Sequence, residues 1–285
     1  MKKFDTYIIA EIGINHNGDI DNALKLIDIA AAAGCNAVKF QKRNPDTCIP
    51  EEQKYLEKTT PWGKMSYLDY KKRIEFNERE YDIIDEHCAS RNIYWSASAW
   101  DLESLEFLLR YTLPFIKIPS AKLTNDSLLI SAAKNFRNVI LSTGMSTSSE
   151  IEHAYSTLKV TKGFYNLNTD ITLLHCNSSY PAPIEELNLN AIKTLKKYYP
   201  DCKIGYSGHE LTLGTTVAAI YLGAEVIERH ITLDRNMWGT DQSCSVTPWG
   251  LHKLVSGIRE LEQAYGDGVL KIEQSELSAK QKLRG

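Results

Sequence analysis

The sequence predicts an α/β protein built as a single-domain (β/α)8 TIM barrel, and three observations carry that prediction. Short apolar runs alternate with amphipathic helical stretches about eight times along the chain. The 285 residues suit one barrel of ~250 residues. Chemically useful polar side chains recur where nearly every apolar run ends. The candidate strands are residues 7–12, 37–41, 94–97, 115–118, 139–142, 172–176, 203–206 and 226–229. Helical patterns cover 20–33, 78–91, 102–111, 127–136, 147–160, 187–198 and 211–223, with a last one over 248–265. Repeated strand-then-helix units point to parallel pairing, and eight of them in this length to closure.

A doubly wound open sheet is the competing architecture. Its usual nucleotide-binding forms are disfavoured, because no G-x-G-x-x-G follows the first strand and no G-x-x-x-x-G-K-[ST] occurs. Residues 42–76, a long polar insertion containing Trp62, Tyr67 and Tyr70, read as a lid over a site. The barrel is assigned to residues 1–268 and a polar C-terminal tail to 269–285.

Hydrophobic residues make up 43% of the chain, enough for a sizeable core, and the formal net charge is -3. That near-balance gives no electrostatic reason to expect nucleic acid or an anionic membrane as partner. No run of ~18 apolar residues marks a membrane span. The N-terminal MKKFDTYIIAEIG lacks the long apolar stretch of a signal peptide, so a cytoplasmic protein is expected. Six scattered cysteines (35, 48, 88, 176, 202 and 244) form no C-x-x-C pair and read as reduced thiols.

Barrel enzymes place chemistry at the C-terminal ends of their strands. There the sequence offers Glu11, Lys39 with Gln41, Ser96 and Ser98, and Lys117 with Ser120. It continues with Ser142-Thr143-Gly144, then His175 with Asn177, Ser178 and Tyr180. Ser207-Gly208-His209 and Glu228-Arg229-His230 close the ring. Lysines inside the apolar strands VKFQ and FIKIPS are the sharpest signal, since a buried ammonium needs an anionic partner. Two readings stand: each lysine pairs with a carboxylate of the barrel, or Lys39 and Lys117 hold a phosphate or carboxylate with hydroxyls of Ser120 and Ser142 and N–H groups near Gly144. A third chemistry, Schiff-base formation, also uses such a lysine. His209 and His230 follow consecutive strands and can reach one point above the barrel; with Glu11 and Asp241 nearby they suggest a metal site. His175 reads as a core histidine, and Met145, Trp238 and Trp249 as packing or cavity wall.

In these segments the sequence resembles the sialic acid synthases, which make N-acetylneuraminic, legionaminic and pseudaminic acids. The resemblance is carried by AEIGINHNGD at 10–19, VKFQ at 38–41, IKIPSAKLTN at 116–125, ILSTGMS at 140–146, LLHCNSSYPAP at 173–183, IGYSGHE at 204–210 and IERHIT at 227–232. It implies phosphoenolpyruvate held by Lys39, Lys117, Ser120, Ser142, Ser178 and Ser207. It implies a divalent metal, Mn2+ or Mg2+, on His209 and His230, with no organic cofactor. Glu11 is implied near the reacting carbons, and Gln41, Tyr180 and Asp241 on an aldose acceptor. A homodimer is implied as well. Against the family pattern, Lys122 stands where a glutamate usually contacts the sugar, and Ala97 replaces a hydroxyl residue near phosphoenolpyruvate. An acceptor carrying phosphate or carboxylate toward Lys122 is the resulting expectation. The small antifreeze-like domain that completes the family's sugar site, with the arginine it donates, is not found before Gly285. A Schiff-base pyruvate aldolase or lyase, and a non-catalytic barrel that binds a sugar acid, are the alternatives.

Overall fold

A computed structural model describes residues 5–285; residues 1–4, which the barrel boundary and the signal-peptide reading included, lie outside the described residues. Among the described residues ten strands occur in chain order. Eight belong to the barrel: β1 (Tyr7–Gly13), β2 (Ala37–Lys42), β5 (Tyr94–Ala99), β6 (Ile116–Ile118), β7 (Asn138–Ser142), β8 (Asp170–His175), β9 (Lys203–Gly208) and β10 (Val226–His230). They close in the order β1-β10-β9-β8-β7-β6-β5-β2, and every pair is parallel. The other two, β3 (Glu57–Thr60) and β4 (Gly63–Ser66), form an antiparallel hairpin within the insertion.

Each predicted helix is present, and the sequence explains several of the boundaries. Asp19 caps the helix Ile20–Ala33 by accepting from the backbone of Asp21 and Asn22, and Gly34 ends it in the left-handed region. Reciprocal capping boxes, Asn77 with Glu80 and Thr147 with Glu150, start the helices Glu78–Ser90 and Ser148–Phe164.

Strand side chains alternate between the barrel interior and the helix layer. Toward the helices, Ile8, Ala10, Val38, Phe40, Trp95, Ala97, Ile116 and Leu141 join Leu26, Ile27, Leu105 and Leu129 in the main core. This phase corrects the expectation for Ala97: it is buried in the helix-facing core, and its neighbours Ser96 and Ser98 occupy the inward positions. Inside the barrel, Ile9, Ala37, Phe115, Ile140, Leu174 and Val226 form a second apolar cluster. Moving two residues along each of those strands gives Glu11, Lys39, Lys117, Ser142, Cys176 and Glu228. The polar site therefore rests directly on an apolar floor.

The insertion folds as short helical turns (Pro45–Cys48 and Glu51–Lys54), the β3–β4 hairpin and a helix over Tyr67–Ile74. Tyr70 and Ile74 pack with Ile14, Met65, Tyr67 and Trp238 in a small separate cluster. The root of the insertion is clamped by the loop after β1. Gly18 has φ +73°, and a Cβ there would stand 2.6 Å from the carbonyl oxygen of Arg73, so only glycine fits. Residues 266–285 are exposed and include a helix over Leu277–Arg284, which the description of a polar tail did not anticipate. Among the described residues no helix is long and apolar enough to cross a membrane.

Candidate active site

At the C-terminal mouth four buried charges interlock. Lys39 Nζ lies 2.7 Å from Glu11 Oε2 and 3.8 Å from Glu228 Oε2, and donates to Ser98 Oγ at 2.7 Å. Lys117 Nζ donates to Glu228 Oε1 at 3.2 Å, where Ser207 Oγ also donates at 3.1 Å. The carboxylate-paired reading of the lysines is thus observed, and at the end of the barrel where chemistry occurs. Burial raises the pKa of Glu11 above the ordinary carboxylate value; Lys39 opposes this and Glu228 adds to it. Burial would raise Glu228 too, but Lys117 and then Lys39 outweigh it and hold that group low. Burial depresses Lys117. Taking such charges out of water costs several kcal/mol per ion, so the quartet is poor value as a structural device. Perturbed, mutually dependent groups of this kind belong to functional sites.

Beside the quartet stand two imidazoles, their ring centroids 5.5 Å apart. His209 Nδ1 donates to the carbonyl oxygen of Asn177 at 2.5 Å, which fixes the tautomer and leaves the Nε2 lone pair free. His230 Nδ1 is buried without a hydrogen-bond partner, and Asp241 Oδ2 lies 3.8 Å away. Burial pushes both rings down to about 4, so they are neutral at physiological pH. Tyr180 stacks on His209 at 4.1 Å and meets His230 edge-on at 5.6 Å. Among the described residues no group of three or more His, Cys, Asp or Glu is arranged to hold a metal. Two neutral imidazoles on one cavity, one with an orphaned nitrogen, nevertheless fit a divalent ion that takes its remaining ligands from oxygen.

A third group forms a cradle around Gly144. Its backbone N–H donates to Ser120 Oγ at 3.0 Å, and Ser120 Oγ lies 3.3 Å from Cys176 Sγ. A Cβ at Gly144 would fall 2.2 Å from Ser178 Oγ and 2.9 Å from Cys176 Sγ, so a side chain there would fill the space between these groups.

Glu11, Gln41, Ser120, Ser142, Ser178, Tyr180, Ser207, His209 and His230 all line one cavity of about 160 Å3. Lys39 and Lys117 are tied to its wall through Glu11 and Glu228. Two sequence-predicted residues stand apart. Asp241 reaches the site through His230. Lys122 ends the turn Ser120–Lys122 but does not line the cavity; its charge is felt at Cys48. Ser98 and Glu228, placed on the rim by the sequence but given no role, are integral to the charge network, and Trp100 lines the cavity unforeseen. A larger cavity of about 580 Å3 opens at the opposite end among Tyr7, Tyr94, Phe115 and Val226. It holds none of the interlocked charges or paired imidazoles, so size does not locate the chemistry here.

Acid, base, cation and chelating groups gathered at the C-terminal mouth of a (β/α)8 barrel define a barrel enzyme that handles an anionic substrate. The chain belongs to the NeuB family, whose model matches residues 26–270. It is 42% identical to an N,N'-diacetyllegionaminic acid synthase of Campylobacter jejuni, over 97% of this chain and 81% of that protein. It is 36% identical to the N-acetylneuraminate-9-phosphate synthase of Mus musculus, over 99% of this chain and 77% of that protein. Among solved structures, an N-acetylneuraminic acid synthetase from Leptospira borgpetersenii in complex with citrate superposes with a TM-score of 0.83 at 36% identity, covering 98% of this chain and 92% of that one.

Proposed function

We propose that this enzyme joins phosphoenolpyruvate to the aldehyde carbon of an aldose, giving a 2-keto-3-deoxy sugar acid of the nonulosonic type and inorganic phosphate. The observation that carries this reading is the pairing of Lys39 and Lys117 with Glu11 and Glu228 beneath the Gly144 cradle and beside two neutral imidazoles. Phosphoenolpyruvate carries a phosphate and a carboxylate. The hydroxyls of Ser120, Ser142, Ser178 and Ser207 and the two ammonium groups supply donors and positive charge for both. Carbon 3 forms the new bond to the aldehyde carbon as the C2=C3 and C=O π bonds open, and the aldehyde oxygen takes up a proton to become a hydroxyl. Water adds at carbon 2, and phosphate leaves that carbon with its bridging oxygen as the ketone forms. Glu11, raised by burial, is suited to accept the proton of that water. The lysines hold the departing phosphate. His209 and His230 would hold a divalent ion, Mn2+ or Mg2+, which when bound supplies Lewis-acid polarisation of the aldehyde. Gln41, Tyr180 and Asp241 are assigned to the aldose, an N-acetylmannosamine-like sugar or a modified relative; Lys122, away from the cavity, is a weaker determinant than its sequence position suggested.

The reading assigns catalysis to residues 1–268 and none to 269–285. It places the enzyme in the cytoplasm as a homodimer that feeds surface-polysaccharide synthesis. The test is phosphate release from phosphoenolpyruvate across a panel of aldoses with Mn2+ or Mg2+ added, repeated in EDTA. Release that requires both aldose and metal is expected. A borohydride-trapped pyruvate adduct on Lys39 or Lys117 would instead establish the Schiff-base alternative.

A further inference from the structure

We propose that Arg43 is a positioning residue for the acceptor: it fixes the amide of Gln41 and the indole of Trp100 so that two N–H donors meet a hydrogen-bond-accepting oxygen of the aldose. This inference rests on the synthase reading of the mouth and adds to it the residue that sets the chemistry of the sugar end.

Arg43 immediately follows β2 and is buried, although it lies on a loop. Its guanidinium touches three partners. Nη2 donates to Gln41 Oε1, Cζ sits 4.7 Å from the centre of the Trp100 ring, and Nε lies 3.7 Å from Glu75 Oε2. The backbone N–H of Arg43 donates to Glu75 Oε1 at 2.9 Å, which fixes the stem. A guanidinium has only donors, so the oxygen of the Gln41 amide must face it and the nitrogen must face away. Gln41 Nε2 accordingly points toward Glu11, at 3.4 Å from Oε1, a contact long enough to leave the amide free to donate elsewhere.

Trp100 supplies the second donor. It lines the cavity, and its Nε1 is buried without a hydrogen-bond partner among the described residues. A buried N–H left unpaired costs ~1–3 kcal/mol, a cost that a ligand oxygen would remove. Gln41 and Trp100 thus offer donors, the amide oxygen of Gln41 being turned toward Arg43. The group they recognise is an oxygen: an acyl carbonyl, a hydroxyl or an anionic oxygen. An ammonium in that place would face two donors and the positive charge of Arg43, so N-acylated aldosamines are favoured over free ones.

The test compares Arg43→Met and Arg43→Lys with the wild type. The KM for the best aldose of the panel and the KM for phosphoenolpyruvate are measured separately. Binding of N-acetylmannosamine and of mannosamine is measured by calorimetry, which needs no turnover. Glu75 keeps Lys42 at 3.3 Å when Arg43 is lost, so the loop retains an ion pair in the variants. In Arg43→Met the aldose KM should rise about tenfold or more while that for phosphoenolpyruvate stays within about twofold. Arg43→Lys should recover part of the loss, because its ammonium still donates to Gln41. Adding Gln41→Ala to Arg43→Met should cost little more, since the two act as one unit. Equal rises in both KM values, additive losses, or N-acetylmannosamine binding unchanged in Arg43→Met overturns the proposal. A wild type that releases no phosphate with any aldose refutes the synthase reading instead, and the calorimetry still decides the role of Arg43.

Discussion

Glu11 and Glu228 share the same two lysines yet are driven in opposite directions, one up and one down. Two carboxylates with separated acidities are what a site needs when one must exchange a proton and the other must stay charged. Replacing Glu11 by Gln keeps shape and removes the proton acceptor; kcat should fall by ~10²–10⁴ while the KM for phosphoenolpyruvate changes little. At the cradle, Gly144→Ala places a methyl group on Ser178, Ser120 and Cys176. Steady-state kinetics should show a large rise in KM for phosphoenolpyruvate with the aldose KM nearly unchanged; an unchanged KM for phosphoenolpyruvate would place the phosphate elsewhere. Much of this site was legible residue by residue, because a lysine or glutamate inside an apolar strand is conspicuous. Trp100 was not, since an aromatic beside a strand reads as packing until its N–H is seen to lack a partner. Ala97 was misread for a different reason: motif position gives no strand phase, and phase decides which way a side chain faces. Lys122 sits on the turn after β6, whose course the motif does not give.

The insertion between β2 and the helix Glu78–Ser90 carries a buried cation at an electrostatic cost. Lys71 is buried there against the rings of Tyr67 and Tyr70, at 5.3 and 5.0 Å, and no carboxylate among the described residues lies within 4 Å of it. Burial, and then Arg43, push it down to about 7 from its ordinary value of 10.5. The sign follows directly. Below about pH 7 the folded chain carries a desolvated charge and is destabilised, and stability rises as pH climbs from 7 toward 10.5, where only the unfolded chain holds the proton. Thermal melts of Lys71→Met should show a higher midpoint than wild type near about pH 6.5, with the gain shrinking toward about pH 10. A gain that does not depend on pH would contradict the assignment. The insertion was foreseen from its length and aromatics, but its hairpin was not. β3 and β4 are short, polar and largely exposed, so no alternation of apolar residues announced them. Their place comes from tertiary contacts, the edge-on packing of Trp62 on Trp238 at 5.9 Å among them.

At the scale of the molecule, the barrel was legible because parallel strands covered on both faces read as dense apolar runs, while their C-terminal ends carry polar groups that packing alone does not require. The exposed helix Leu277–Arg284 escaped notice since nothing packs on it to impose a periodic apolar face. A divalent ion on His209 and His230 would bind the folded chain alone, so EDTA should abolish turnover and lower the melting temperature, and His209→Ala should make the melt insensitive to EDTA. The account as a whole depends on phosphoenolpyruvate occupying the space above the charge quartet. Calorimetric titration of phosphoenolpyruvate into the wild type and Gly144→Ala tests this most directly. The prediction is saturable binding at one site per chain in the wild type, weakened by about 100-fold or more in the variant; equal affinity in both, or no heat with the wild type, contradicts it.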